Sequence, residues 1–153
     1  MILGLGNELY GDDRVGIHVI RKSKKEWASE NEEIAFEESS LSGISLLEVI
    51  VGYDRLVIVD TMKKSKPTSG RIHLFDEHQL RHIPGLPPHY VSIPQTIAIG
   101  RKLGLKFPSQ IKIVAVGAKN IYNLGEGLSP AMKKALPHIV SQAKEILKPR
   151  IKG

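Results

Sequence analysis

The chain has 153 residues, of which 41% are apolar and 25% charged, values typical of one globular domain, which we expect to span 1–153. Cysteine is absent, which excludes thiol nucleophiles, thiolate zinc sites, iron–sulfur clusters and disulfides. Lys and Arg exceed Asp and Glu by 22 to 16, but the cations are scattered and only 5% of residues are aromatic, so we expect no nucleic-acid partner.

The first half of the chain alternates short apolar runs with helical stripes. In chain order we first predict a buried strand at 1–5 and then a helix that Asp12 caps and that carries Val15, Val19 and Ile20. We next predict a strand at 33–38, a short helix at 44–51 and a buried strand at 56–59 that ends at Asp60. No basic leader precedes the first strand, and no apolar run has the roughly 18 residues that cross a bilayer. We therefore expect a cytoplasmic protein that does not contact membranes.

The second half of the chain contains two more predicted strands and two longer helices. We predict a polar turn at 63–69, a strand at 71–75 and a loop with three prolines at 76–91. A helix should then run from a capping box at 92–95 to about Leu103, followed by a buried strand at 111–116. A final helix should begin at Ser129 and Pro130 and be kinked by Pro137.

Strands that alternate with helices predict a three-layer α/β/α sandwich around a mostly parallel, five-stranded twisted sheet of the phosphorylase/hydrolase-like type. The strand at 71–75 follows its predecessor after a short turn without a helix, so we expect it to run antiparallel. Because ligands bind outside the carboxyl ends of parallel strands, the expected site combines residues 6–13, residues 60–62 and the segment from Gly117 onward.

Two aspartates follow the glycines that come after the first strand. The glycine pattern is similar to a dinucleotide-binding fingerprint, but the third glycine is missing and two carboxylates occupy the place of the phosphate, which they would repel. Helix capping explains Asp12, and Asp13 is then available for a second role.

Asp60 and His89 complete the candidate set. Asp60 follows four buried aliphatic residues at the predicted edge of the site, and two prolines restrict the backbone before His89. Two carboxylates and an imidazole can hold a divalent first-row metal ion and leave coordination positions open for a substrate. A G-x-S-x-G turn and an H-E-x-x-H helix are both absent, which argues against serine hydrolases and common zinc proteases.

The chain resembles the hydrogenase maturation endopeptidases in several motifs that occur in order along nearly its whole length. These are GLGN at 4–7, GDDRVG at 11–16, LVIVD at 56–60, SGRI at 69–72, PH at 88–89 and GLSP at 127–130. Enzymes of this family remove a C-terminal extension from the precursor of the [NiFe]-hydrogenase large subunit after nickel has been inserted. The resemblance implies an aspartic-type or metal-assisted endopeptidase whose partner is that precursor, and we expect a monomer.

The resemblance also assigns roles to individual residues. It matches Asp13 to the family's metal-binding acid, Asp60 to its strand-end aspartate and His89 to its loop histidine. It implies that these three bind Ni²⁺ brought by the substrate, at a site that other divalent metals can also occupy, and that the two aspartates are catalytic. Asn7 and Asp12 are expected to shape the loop or orient Asp13. The sequence leaves open whether one aspartate also acts as general base.

The chain departs from the family pattern after the second strand. Where relatives usually have an acidic residue followed by Gly-Gly-Thr, this chain has Glu38, Ser39, Ser40 and Leu41, which we interpret as the substrate-recognition segment. Arg14 stands where glycine is common and places a cation beside the proposed ligands. These departures indicate a precursor from a divergent hydrogenase class.

Two alternatives remain open. The GLGN segment also resembles peptidyl-tRNA hydrolases, but their Thr-Arg-His-Asn segment, which supplies a catalytic histidine, is missing here. A nickel-binding or precursor-binding chaperone without catalytic activity would keep the same binding residues.

Overall fold

The structure is a computed structural model that describes residues 1–30, 33–63, 69–82, 88–119, 121, 123–125 and 127–148. Within these residues, five strands form one sheet. The strands are β1 (Ile2–Leu5), β2 (Phe36–Ser39), β3 (Arg55–Lys63), β4 (Ile72–Asp76) and β5 (Gln110–Ala118). The α-helices are α1 (Val15–Trp27), α2 (Leu47–Ile50), α3 (Pro88–Lys102) and α4 (Pro130–Leu147). Short 3-10 helices cover Asp12–Arg14, Gly43–Leu46 and Glu77–His82.

The sheet has the strand order β2-β1-β3-β5-β4, and only β4 runs antiparallel, pairing with β5. Alternate side chains of the central strands enter two apolar cores. Val57 belongs to the core shared with α1 and α4, whereas Ile58 belongs to the core shared with α2 and α3. The predicted three-layer sandwich and its antiparallel strand are therefore confirmed. Among the described helices, none is long and apolar enough to cross a membrane.

Strand β3 continues beyond its pairing with β1. The β1–β3 ladder ends with Gly4 opposite Val59, whereas the β3–β5 ladder continues to the end of both strands. The prediction that this strand ends at Asp60 is wrong, because β5 supplies ladder hydrogen bonds beyond that point. We call residues 60–63 the β3 extension. Within it, Thr61 contacts Asp13, a residue of the segment that follows β1.

Helix α1 packs against β1 and β3 through main-chain contact at two glycines. A Cβ atom on Gly16 would lie 2.6 Å from the carbonyl oxygen of Val59 and would also collide with the carbonyl oxygen of Leu5. A Cβ atom on Gly4 would lie 2.5 Å from Cγ1 of Ile20 and would collide with the carbonyl of Gly16. Because no side chain fits at these positions, the start of α1 lies directly against the carboxyl end of β1 and against β3 at Val59, the residue before the β3 extension.

The region predicted as a loop at 76–91 is partly helical. A 3-10 helix covers Glu77–His82, and α3 begins at Pro88, four residues before the predicted capping box at 92–95. Proline is favoured at the first helical position, where its missing N–H leaves no bond unmade, and this explains the earlier start. Residues 64–68 of the predicted polar turn and residues 83–87 lie outside the described residues.

Other predicted boundaries are close to the structure. The strand expected at 33–38 is β2, shifted to Phe36–Ser39, and the short helix expected at 44–51 divides into a 3-10 helix and α2. Helix α4 begins after Ser129 as predicted and continues through Pro137. The kink at Pro137 stays a prediction.

Candidate active site

The carboxylate of Asp13 is fixed by two hydrogen bonds from different parts of the chain. The backbone amide of Asn7 donates to Oδ2 at 2.9 Å, and the hydroxyl of Thr61 donates to Oδ1 at 2.9 Å. The side-chain oxygen of Asn7 accepts from the amide of Leu9 at 2.9 Å and so shapes the loop. Asn7 thus contacts Asp13 through its backbone amide and Leu9 through its side chain, and its role in a site stays a prediction. Asp13 itself is half-buried.

Asp60 begins the β3 extension and has no exposed surface. Its Oδ1 accepts a hydrogen bond from the backbone amide of Thr61 at 2.7 Å. Thr61 thus contacts both carboxylates, Asp60 through its amide and Asp13 through its hydroxyl. Thr61 was not predicted from the sequence as a site residue. Its position in the 60–62 segment, directly after the candidate aspartate, was the signal that could have found it.

Asp12 does not cap α1, which corrects the prediction. Its buried carboxylate accepts from the backbone amide of Ser129 at 2.7 Å and from the Ser129 hydroxyl at 2.8 Å. The Ser129 hydroxyl in turn accepts from the amide of Met132 at 3.3 Å and caps α4. The 3-10 helix Asp12–Arg14 separates Asp12 from the first turn of α1, which leaves its carboxylate available to the start of α4.

Residues 6–13, which carry Asp12 and Asp13 and which we call the aspartate loop, are also joined to the segment before α4 by main-chain hydrogen bonds. The amide of Gly11 donates to the carbonyl of Asn123 at 2.8 Å, and the amide of Gly125 donates to the carbonyl of Leu9 at 2.9 Å. The segment after Gly117, the third expected part of the site, therefore supports the aspartate loop through its backbone.

Replacing Ser129 by alanine should lower the free energy of unfolding by about 1–3 kcal/mol, because it removes the α4 cap and one donor to the buried Asp12 carboxylate. Urea denaturation measures the change. The Ser141→Ala variant is the control, since Ser141 is an exposed residue of the same helix. Equal stabilities of the two variants would contradict a structural role for the Asp12–Ser129 contact.

His89 is the second residue of α3, and its side chain lies outside the described residues. Within the described part of the chain, no group of three or more His, Asp or Glu residues could hold a metal ion. The set of Asp13, Asp60 and His89 as metal ligands therefore stays a prediction. Helix α3 packs on the face of the sheet to which Ile58 and, two residues later, Asp60 belong.

Comparison with known proteins identifies the family. A family model described as hydrogenase maturation protease matches residues 17–146. The chain belongs to this family. The match includes Asp60 and His89 and begins four residues after Asp13. Family membership confirms the resemblance seen in the sequence and places the chain among peptidases, which disfavours the peptidyl-tRNA hydrolase alternative.

One relative and several solved structures agree with this assignment. Hydrogenase expression/formation protein HupD from Thiocapsa roseopersicina is 21% identical over 149 residues, which are 96% of this chain and 66% of HupD, so the chain spans just under two thirds of that protein. Hydrogenase maturating endopeptidase HybD from Escherichia coli is 20% identical with a TM-score of 0.72, over 95% of this chain and 90% of HybD.

Two structures from Thermococcus kodakarensis also share the fold. The [NiFe] hydrogenase maturation protease HybD is 23% identical with a TM-score of 0.69, over 96% of this chain and 97% of its own. The maturation protease HycI is 20% identical with a TM-score of 0.71, over 97% of this chain and 91% of its own. At these identities the likeness establishes the fold.

The segment predicted to recognise substrate lies beside the start of the aspartate loop in this member of the family. The amide of Gly6 donates to the carbonyl of Ser39 at 3.1 Å, and the amide of Leu41 donates to the Ser39 hydroxyl at 3.0 Å. The carboxylate of Glu38 forms two hydrogen bonds with the guanidinium of Arg21, at 2.8 and 3.0 Å. Ser40 and Leu41 are exposed. Recognition of substrate by residues 38–41 stays a prediction.

The pKa of His18, on α1, lies below its ordinary value of 6.5, chiefly because the side chain is partly buried and also because Arg14 and Arg21 are near. Below pH 6.5 the unfolded state therefore binds more protons than the folded state, and the stability falls as the pH decreases.

The His18→Gln variant should lose less stability than the wild type between about pH 7.5 and about pH 5, because the variant lacks this titration. Urea denaturation at the two pH values measures the difference. The variant of an exposed histidine, His138→Gln, provides the comparison. If His18→Gln kept the full pH dependence of the wild type, His18 would not contribute to it.

Proposed function

We propose that this protein is the endopeptidase that removes the C-terminal extension of a [NiFe]-hydrogenase large-subunit precursor after nickel insertion. Membership of the maturation protease family supports the reaction class. The observation that carries the proposal is the contact of Thr61 with the carboxylates of both Asp13 and Asp60 at the β3 extension. These two acids are 47 positions apart in the sequence, and each accepts a hydrogen bond from Thr61.

The nickel ion belongs to the substrate, and Asp13, Asp60 and His89 are the residues that we propose to bind it. Carboxylates and an imidazole suit a divalent first-row metal, and three protein ligands leave positions for the groups of the precursor. When bound, nickel acts as a Lewis acid and places the neighbouring peptide carbonyl at the site.

The residues of this chain orient the two carboxylates. The amide of Asn7 and the hydroxyl of Thr61 each occupy one oxygen of Asp13, which sets the direction of the remaining lone pairs. Asp13 is partly exposed, whereas Asp60 has no exposed surface. We therefore propose that the precursor meets Asp13 first, and that Asp60 becomes accessible when the groups that cover it are displaced.

Cleavage of a purified precursor tests the proposal. The nickel-loaded large-subunit precursor should become shorter by its extension, as measured by mass spectrometry, and the nickel-free precursor should stay intact. Equal cleavage without nickel would contradict recognition of the metal. Tight binding of the nickel-loaded precursor without cleavage would identify the chaperone alternative. Release of tRNA from peptidyl-tRNA would identify the hydrolase alternative.

We further propose that the protein acts as a monomer in the cytoplasm. Light scattering of the free protein should give the mass of one chain, 16.9 kDa. A stable dimer at micromolar concentration would contradict this.

A further inference from the structure

A cavity of about 260 Å³ lies beside the aspartate loop, between the start of α1 and the start of α4. Its lining residues are Arg14, His18, Gly127, Leu128, Lys133 and Leu136. Arg14 directly follows Asp13 in the chain, and Leu128 directly precedes Ser129, which binds Asp12. The cavity is therefore adjacent to the candidate active site and is built partly from the same turn.

The polar groups of this cavity are basic. No carboxylate within salt-bridge distance of Arg14 or Lys133 occurs among the residues that the structure describes. The Nε of Arg14 is buried and has no hydrogen-bond partner there. The nearby acids Glu8 and Glu38 are both paired with Arg21. An anion that entered the cavity would therefore meet unpaired cationic groups.

The rest of the lining is apolar. Leu128 is buried and Leu136 half-buried, and both contribute aliphatic surface beside the cations. A ligand that fits such a cavity carries a negative charge next to an apolar side chain. A peptide carboxylate adjacent to an aliphatic residue has this chemistry, whereas a phosphate or a sugar lacks the apolar part.

We propose that this cavity binds a peptide carboxylate together with a neighbouring aliphatic side chain. The inference rests on the proposed function for its source, which is the C-terminal extension of the precursor. Every such extension ends in an α-carboxylate whatever its sequence, and acidic side chains within the extension offer the same group. Binding there holds the segment that leaves after cleavage next to Asp13.

Small probes test the binding separately from catalysis. N-acetyl-leucine should shift the backbone amide resonances of Gly127, Leu128 and Lys133 in NMR spectra of the wild-type protein, and N-acetyl-leucinamide, which lacks the charge, should do so at least about threefold more weakly. N-acetyl-aspartyl-leucinamide carries only a side-chain carboxylate. Its affinity relative to N-acetyl-leucine shows which carboxylate the cavity prefers. Equal shifts with charged and uncharged probes, or none with any probe, would overturn the proposal.

A matched pair of variants tests the charge of the cavity. Lys133→Gln should weaken binding of N-acetyl-leucine by about three- to tenfold, whereas Lys134→Gln, the neighbouring exposed lysine outside the cavity, should not change it. In the precursor assay, Lys133→Gln should raise KM and leave kcat unchanged. Equal binding by the two variants would overturn the proposal. If the probes bind but the wild type does not cleave nickel-loaded precursor, the proposed function fails while the assignment of the cavity as a carboxylate site stands.

Discussion

The Asp13→Asn variant should cleave nickel-loaded precursor at least about a hundredfold more slowly than the wild type, the scale expected when a positioned acid–base or ligand group is lost. Asparagine has the shape of aspartate and keeps one oxygen, so the contacts with Asn7 and Thr61 can largely persist. The change therefore removes the negative charge with little effect on the fold. Initial rates at saturating precursor measure it.

Two further variants define what the loss means. Asp60→Asn should cause a similar decrease, since both carboxylates are proposed ligands. Asp54→Asn is the control, because Asp54 is exposed, directly precedes β3 at its other end, and among the described residues its carboxylate forms a salt bridge only with Lys106. Circular dichroism should show the same helix content in all three variants. If Asp13→Asn or Asp60→Asn cleaved the precursor at the wild-type rate, the substituted residue would not be catalytic.

The Gly16→Ala variant should be less stable than the wild type by about 3 kcal/mol or more, the upper part of the range for overpacking. Alanine in a helix normally gains up to about 1 kcal/mol over glycine, so the expected sign is opposite to helix propensity. The reason is that the new methyl group would meet the carbonyl oxygens of Leu5 and Val59, and neither main-chain atom can rotate away.

A second helical glycine provides the comparison for Gly16. At Gly100 in α3, a methyl group would meet the ring of Phe107 at 2.5 Å, and a ring can shift where a backbone cannot. We therefore expect Gly100→Ala to lose less stability than Gly16→Ala in urea denaturation. If Gly16→Ala were as stable as the wild type, α1 could not lie as close to β1 and β3 as described.

The sheet could be predicted from the sequence because its signals are local. Continuous apolar runs identified the buried strands, and the short connection before the strand at 71–75 indicated its antiparallel direction. The start of α3 was predicted less well. Two local signals compete there, the capping pattern at 92–95 and the proline at 88, and the second prevails.

The site was predictable only where position along a strand determined it. The rule that parallel strands end at the same edge predicts that Asp13 and Asp60 lie near each other, and in the structure Thr61 donates a hydrogen bond to each carboxylate. The contact of Asp12 with Ser129 was missed because Ser129 is 117 positions away and nothing in the local sequence indicates it. The end of β3 was missed because it depends on the length of β5.

The contact of α1 with the sheet has a consequence for how this protein can change during evolution. Gly4 and Gly16 bring main-chain atoms together, and these atoms have no rotamers through which the contact could relax. Exchanges among aliphatic residues in the two cores alter volume and create or fill cavities, but they leave this backbone spacing unchanged. The spacing between the start of α1, which follows Asp13, and β3, which carries Asp60, can therefore persist while most of the interior side chains are replaced.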